Sequence, residues 1–225
     1  MRMQATLPKQ HIEIGDQQII EYTLTAFSAC EQIDAILVVS NPQYINRVME
    51  LKSKFGKLSW VIDGGESRIQ SVEKGVAFLK EVCTPNDKVI ISDAVRPCIS
   101  LEEIEKSLSM LEVYPAVTTG VEVYETILRI EDHNISDIIP RDGVVRQTSP
   151  EGYIFSTLID LYINEKRETV SQYRNIGIDQ LFAKGIPVGL VKSSPLNFKI
   201  TTQDDVYLFE TVLKHGFQTI ISRRT

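Results

Sequence analysis

Short apolar runs alternate with amphipathic stretches over the first two-thirds of the chain, and few folds tolerate that rhythm. Residues 33–40 (IDAILVVS), 58–63 (LSWVID), 88–92 (KVIIS) and 115–121 read as strands that are apolar nearly throughout. Between them, residues 43–55 are charged and periodic. Residues 68–83 set Ile69, Val72, Val76 and Leu79 on one helical face, and residues 100–112 form another helix. Strands apolar on both faces, spaced by helices, predict a parallel sheet covered on both sides. The handedness of β-α-β crossovers then makes the fold α/β and doubly wound, with a mostly parallel sheet.

Residues 122–148 break the rhythm. ETILRI alternates, EDHN supplies a turn, and ISDIIPRDGVVRQT alternates again, the pattern of a β-hairpin. Such an arm, inserted into a doubly wound domain, is expected either to reach a partner subunit or to pack on its own domain. After it come a helix near 152–166, a helix near 175–184, a strand at 187–192, a short strand at 197–201 and a last helix near 203–215. The 225 residues suffice for one large α/β domain, expected to span 1–225.

The net charge of −6 disfavours a general nucleic-acid surface, which needs an excess of Lys and Arg. A small basic pocket for one nucleotide stays possible. Cys30, Cys83 and Cys98 are scattered, without metal-ligand spacing, and point to a reducing compartment. No apolar run approaches the ~20 residues of a membrane span, and the N-terminus has no signal-peptide design. The expected location is the cytoplasm.

Ligands of open α/β sheets sit beyond the carboxyl ends of the strands, so the polar residues there matter most. After 58–63 comes Asp63-Gly64-Gly65-Glu66-Ser67-Arg68. Two glycines let backbone approach a ligand, and the next helix offers free N–H groups to an anion, although a tight turn uses the same residues. After 88–92 comes Asp93-Ala94-Val95-Arg96-Pro97. The Asp suits Mg²⁺ and the Arg suits a phosphate, or the two form a surface pair that ends a strand. Lys199, in Asn197-Phe198-Lys199-Ile200-Thr201, can enter the same crevice or stand in solvent on an edge strand. Arg2 and Lys9 near the start suit a triphosphate, or form only a basic tip.

Taken in order, RMQATLPKQ, DGGESRIQSV, DAVRP, the arm ending in RQTSP, and NFKITTQDD resemble the 2-C-methyl-D-erythritol 4-phosphate cytidylyltransferases and their ribitol-5-phosphate relatives. The resemblance runs from Arg2 to the last helix. It implies a Rossmann-like nucleotidyltransferase that uses Mg²⁺ to join CTP to a polyol phosphate, and a homodimer whose arms complete each other's sites. By matching positions, Arg2 and Lys9 would neutralise the CTP phosphates, and Gly65, Glu66, Ser71 and Ala94 would lie against the cytidine. Asp93 would serve the metal and the reacting phosphate. Arg96, Thr126, Arg141, Ser171 and Lys199 would surround the polyol phosphate, with Thr126 and Arg141 coming from the partner's arm. Neither nucleic acid nor membrane is an expected partner.

This sequence departs from the family pattern in four places. The family opens with a strand and a loop, A-[AG]-G-x-G-x-R, whereas this chain starts at about the Arg of that motif, Arg2. A central strand and the phosphate cradle are therefore expected to be missing, and the chain to be a poor enzyme unless an upstream segment exists. Ser92 stands for a usual His, Gln172 follows Ser171 in place of Thr-Asp, and Ser149-Pro150-Glu151 replaces Thr-Pro-Gln. These mark a divergent member. The competing expectations are a catalytically impaired homologue that acts as a dimeric binding subunit, and a nucleotidyltransferase for another NTP and sugar phosphate.

Overall fold

The computed structural model describes residues 7–164 and 177–221. Near its start a two-residue hairpin, β1 (Glu13–Ile14) with β2 (Gln17–Gln18), leads directly into helix α1 (Ile19–Ala29). Gln18 and Glu21 form a reciprocal cap there, the Gln18 N–H donating to Glu21 Oε2 at 2.8 Å. Most of α1 is buried, including Ile19, Ile20, Tyr22, Leu24, Ala26 and Phe27. No single apolar stripe marks such a helix, and the sequence reading passes over it.

The β-α alternation then follows as expected. Strand β3 (Ile36–Ser40) is followed by α2 (Ile45–Glu50), flanked by 3₁₀ turns at Pro42–Tyr44 and Leu51–Ser53. Strand β4 (Leu58–Asp63) is parallel to β3. Next come α3 (Arg68–Leu79), β5 (Lys88–Ile91), α4 (Leu101–Met110) and β6 (Ala116–Glu122). Ser67 caps α3, its hydroxyl accepting the Gln70 N–H, and Ser100 caps α4 in a box with Glu103.

The arm is β7 (Ile127–Glu131) and β8 (Asn134–Ile139), antiparallel. Asp132 and His133, both with positive φ, form its turn. Residues 145–154 correct the sequence reading: they are not a continuation of the arm. They form β9 (Val145–Ile154), which returns to the main sheet antiparallel to both β5 and β6. The helix expected from 152 begins only as α5 (Phe155–Ile159), which continues as a π turn at Asp160–Asn164. Helix α6 (Ile178–Ala183), β10 (Val188–Lys192) and α7 (Gln203–Ile221) complete the order. Residues 197–201 form no strand. Ile200 makes one backbone bond, to the Val95 carbonyl at 3.0 Å, and its side chain packs with Ile19, Tyr22 and Phe209.

The main sheet has the order β10-β6-β9-β5, with β10 parallel to β6. Tyr153, Phe155 and Leu158 are fully buried under it against α3 and α6. Each such side chain contributes roughly 1.5–3 kcal/mol of burial. Among the described residues no hydrogen bond joins the β3–β4 pair to the four-stranded sheet. Between β3 and β5 lies an apolar cleft of about 1010 Å³, lined by Leu37, Val39, Val89, Ile91, Val72 and Val76 among others.

Candidate active site

Asp93 follows β5 at the carboxyl end of the sheet, and three cations from three segments converge on it. Lys199 Nζ lies 3.2 Å from Oδ2, Arg96 Nε 3.3 Å from the same oxygen, and Arg68 Nε 3.6 Å from Oδ1. Burial is the largest influence on the Asp93 carboxyl and opposes its charge. Lys199, Arg68 and Arg96 together outweigh burial and hold its pKa below the ordinary value. The carboxylate is therefore ionised at neutral pH. One negative charge faces three positive ones, which leaves a surplus suited to anions.

Each member is fixed by the local chain. The Asp93 N–H donates to Ser149 Oγ at 3.2 Å, from β9, and the Ala94 carbonyl accepts the Thr23 hydroxyl at 3.2 Å, from α1. Arg96 is buried and donates from Nη1 to the Asn197 carbonyl at 2.8 Å. That bond ties the DAVRP turn to the segment carrying Lys199. Arg68 opens α3 directly after the glycine turn. Burial opposes its charge, but Asp93 first and Glu151 next outweigh burial and raise its pKa.

The glycine turn sits beside this cluster. The Gly65 N–H donates to Ser71 Oγ at 3.1 Å, and the Glu66 N–H to Gln70 Oε1 at 2.8 Å. A Cβ on Gly65 would stand 2.3 Å from Gln70 Cβ, so a side chain is excluded there. Lys74 Nζ donates to the Gly64 carbonyl at 2.8 Å. Gly64, Gly65, Glu66, Gln70, Lys74 and Asn41 line an open depression of about 890 Å³.

Of the residues expected to form the site, Asp93, Arg96 and Lys199 come together. Gly65 and Glu66 lie in the glycine turn, Ser71 in α3 just after it, and Ala94 directly after Asp93. Lys9 opens a 3₁₀ turn, Lys9–His11, and its charge acts on Asp205, whose carboxylate accepts the Thr201 and Thr202 N–H groups at 2.7 Å. Lys9 is thus near the Thr201–Asp205 turn that follows Lys199. Thr126 and Arg141 stand exposed at the base of the arm, Arg141 donating to the Tyr124 carbonyl, and neither reaches Asp93 of its own chain. Arg2, Ser171 and Gln172 lie outside the described residues.

Sequence reasoning gave Arg68 no role of its own, although it sits in the quoted DGGESR. Its place at the first turn of a helix starting at the crevice was the available signal. Ser149 and Asn197 were likewise read only as motif letters. Ser92, in the position of the usual His, pairs by its hydroxyl with Ser149 Oγ at 3.2 Å.

The architecture is that of a doubly wound α/β protein with an inserted hairpin, and the strand ends carry a cationic crevice beside a glycine turn. Residues 1–215 match the family model described as IspD: 2-C-methyl-D-erythritol 4-phosphate cytidylyltransferase. The chain belongs to this family. It is 30% identical over 219 residues to the 2-C-methyl-D-erythritol 4-phosphate cytidylyltransferase of Caldicellulosiruptor bescii, covering 96% of this chain and 93% of the relative. It is 29% identical over 223 residues to the ribitol-5-phosphate cytidylyltransferase of Lacticaseibacillus paracasei, covering 95% and 93%. Its fold resembles the 4-diphosphocytidyl-2C-methyl-D-erythritol synthase of Anaerococcus prevotii, with a TM-score of 0.79, 25% identity and coverage of 93% and 91%.

Proposed function

We propose that this chain is a CTP-dependent cytidylyltransferase acting on a polyol phosphate, 2-C-methyl-D-erythritol 4-phosphate or ribitol 5-phosphate. A phosphate oxygen of the polyol attacks the α-phosphorus of CTP. The bond from that phosphorus to the β-phosphate bridge breaks, giving a CDP-polyol and pyrophosphate. Both reactants are anions, so rate comes from positioning and charge neutralisation. The observation that carries the reading is the convergence of Lys199, Arg96 and Arg68 on Asp93.

In this reading Arg68, Arg96 and Lys199 grip the reacting phosphates, and Arg2 and Lys9 neutralise the triphosphate. The cytidine lies along Gly65, Glu66, Ser71 and Ala94, over the depression beside the glycine turn. Ser171, outside the described residues, is counted among the contacts of the polyol phosphate on the family resemblance alone. The Asp93 carboxylate is a hard oxygen donor, and no cluster of three possible ligands accompanies it among the described residues. That donor set fits Mg²⁺, which commonly takes one or two carboxylates and draws its other ligands from substrate phosphates and water. Bound Mg²⁺ would add positive charge to the phosphates undergoing transfer.

The arm is assigned to a homodimer contact that brings Thr126 and Arg141 to the partner's crevice. The support is its exposed apolar face: Ile130, Ile135 and Ile138 are each at least 62% exposed. No helix among the described residues is long and apolar enough to cross a membrane.

The cleft between β3 and β5 favours a second reading, a catalytically impaired homologue that binds nucleotide as a dimeric subunit. Calorimetry with each Mg²⁺-nucleotide tests the base choice common to both. CTP should bind more tightly than ATP, GTP or UTP. Equal or tighter binding of another nucleotide would remove the cytidylyl assignment.

A further inference from the structure

Glu103 is 4% exposed, yet both of its carboxylate oxygens are in use. Oε2 accepts the Ser100 N–H at 2.8 Å and the Ser100 hydroxyl at 3.0 Å, completing the cap of α4. A cap needs no more than that. Oε1 turns the other way, to a segment some ninety residues later. It accepts the Ser194 N–H at 3.1 Å, the Ser193 hydroxyl, and Asn197 Nδ2 at 3.4 Å.

That segment leads into the crevice. Asn197 is fully buried, and its Nδ2 also donates to the Ser149 carbonyl at 2.8 Å. Its own carbonyl receives Arg96 Nη1. Ser149 in turn receives the Asp93 N–H. Two residues beyond Asn197, Lys199 reaches Asp93 on a side chain that is 42% exposed. So exposed a lysine owes its aim to its backbone.

We propose that Glu103 is a positioning residue of this site, holding Asn197 and so setting Lys199 at Asp93. All the donors named on it are neutral, and losing a set of hydrogen bonds to a buried carboxyl group is costly. Glutamine has the same shape but one acceptor oxygen. Either the cap donors or the Ser194–Asn197 donors must then face an NH₂ group.

The rate readout rests on the cytidylyltransferase reading, whereas hydrogen exchange does not. Glu103→Gln should lower kcat about 10- to 100-fold, the scale of a small misplacement at a phosphoryl-transfer site. KM for CTP should stay within about threefold, and amide exchange across residues 193–200 should quicken. Ser100→Ala removes the cap alone. It should lower Tm without changing kcat or that exchange. Added to Lys199→Ala, Glu103→Gln should cost less than about twofold more, because its effect runs through the same lysine. Ser193→Ala, a milder change, should quicken the same amides should Glu103→Gln not fold. If no turnover is found at all, exchange still decides. Wild-type exchange in Glu103→Gln, or in Ser193→Ala as its substitute, would overturn the proposal. So would a full multiplicative loss in the Lys199 background.

Discussion

Replacing Lys199 by alanine separates function from fold more cleanly than any other single change at the crevice. Its ammonium is 3.2 Å from the Asp93 carboxylate, and its side chain is 42% exposed. An ion pair this open to water is worth about 0–1 kcal/mol of stability. Asp93 also keeps Arg96 at 3.3 Å and Arg68 at 3.6 Å, so it is not left as a bare buried charge. For a chain of this size, 1 kcal/mol moves Tm by about 2–4 °C, which bounds the expected drop. The rate effect is of another order. Removing one preorganised group aimed at developing charge typically costs about 10²–10³ in rate, or roughly 2.7–4 kcal/mol on the barrier. Pyrophosphate release at saturating Mg²⁺-CTP and polyol phosphate, with thermal melts by circular dichroism, reads both quantities. Wild-type turnover with an unchanged melt would show that Lys199 is a solvated lysine, and the site assignment would fall with it.

A buried carboxyl group and the exposed arm give two further tests. Glu151 is 9% exposed, and burial raises its pKa above the ordinary 4.5. A raised folded pKa means that the cost of its charge is absent below the unfolded value and grows as pH rises through the folded one. Glu151→Gln keeps an acceptor for the Tyr153 hydroxyl, now at 2.7 Å, but turns an amide toward Gln147 Nε2, which donates to the other oxygen at 3.2 Å, so its Tm relative to the wild type should rise between pH 4 and pH 7; a Tm difference that stays constant over that range would contradict this. Sedimentation at micromolar concentration should give a dimer that becomes a monomer when residues 127–140 are deleted. A wild-type monomer refutes the dimer, and a dimer that survives the deletion refutes the arm's role.

The crevice was legible because its parts hang on strand ends, and the strands announce themselves as apolar runs. DGGESR and DAVRP follow β4 and β5, and that placement alone directs attention to Asp93. Strand β9 was hidden because its first residues alternate like the arm's while its last ones look like the start of a helix. Only its long-range pairing with β5 and β6 decides the matter. The NFKI segment alternates like a strand because Phe198 and Ile200 pack on one core cluster, but no ladder partner runs beside it. The bonds that converge on Asn197 join residues up to about a hundred positions apart, and no local pattern encodes them.

The central claim is turnover, and pyrophosphate release from CTP by the 225-residue chain tests it most directly. With Mg²⁺ and each polyol phosphate in turn, the account predicts stoichiometric pyrophosphate and CDP-polyol from one of the two acceptors, and none when the acceptor is omitted. CTP binding without product from either acceptor would contradict it and leave the impaired binding subunit as the reading that stands.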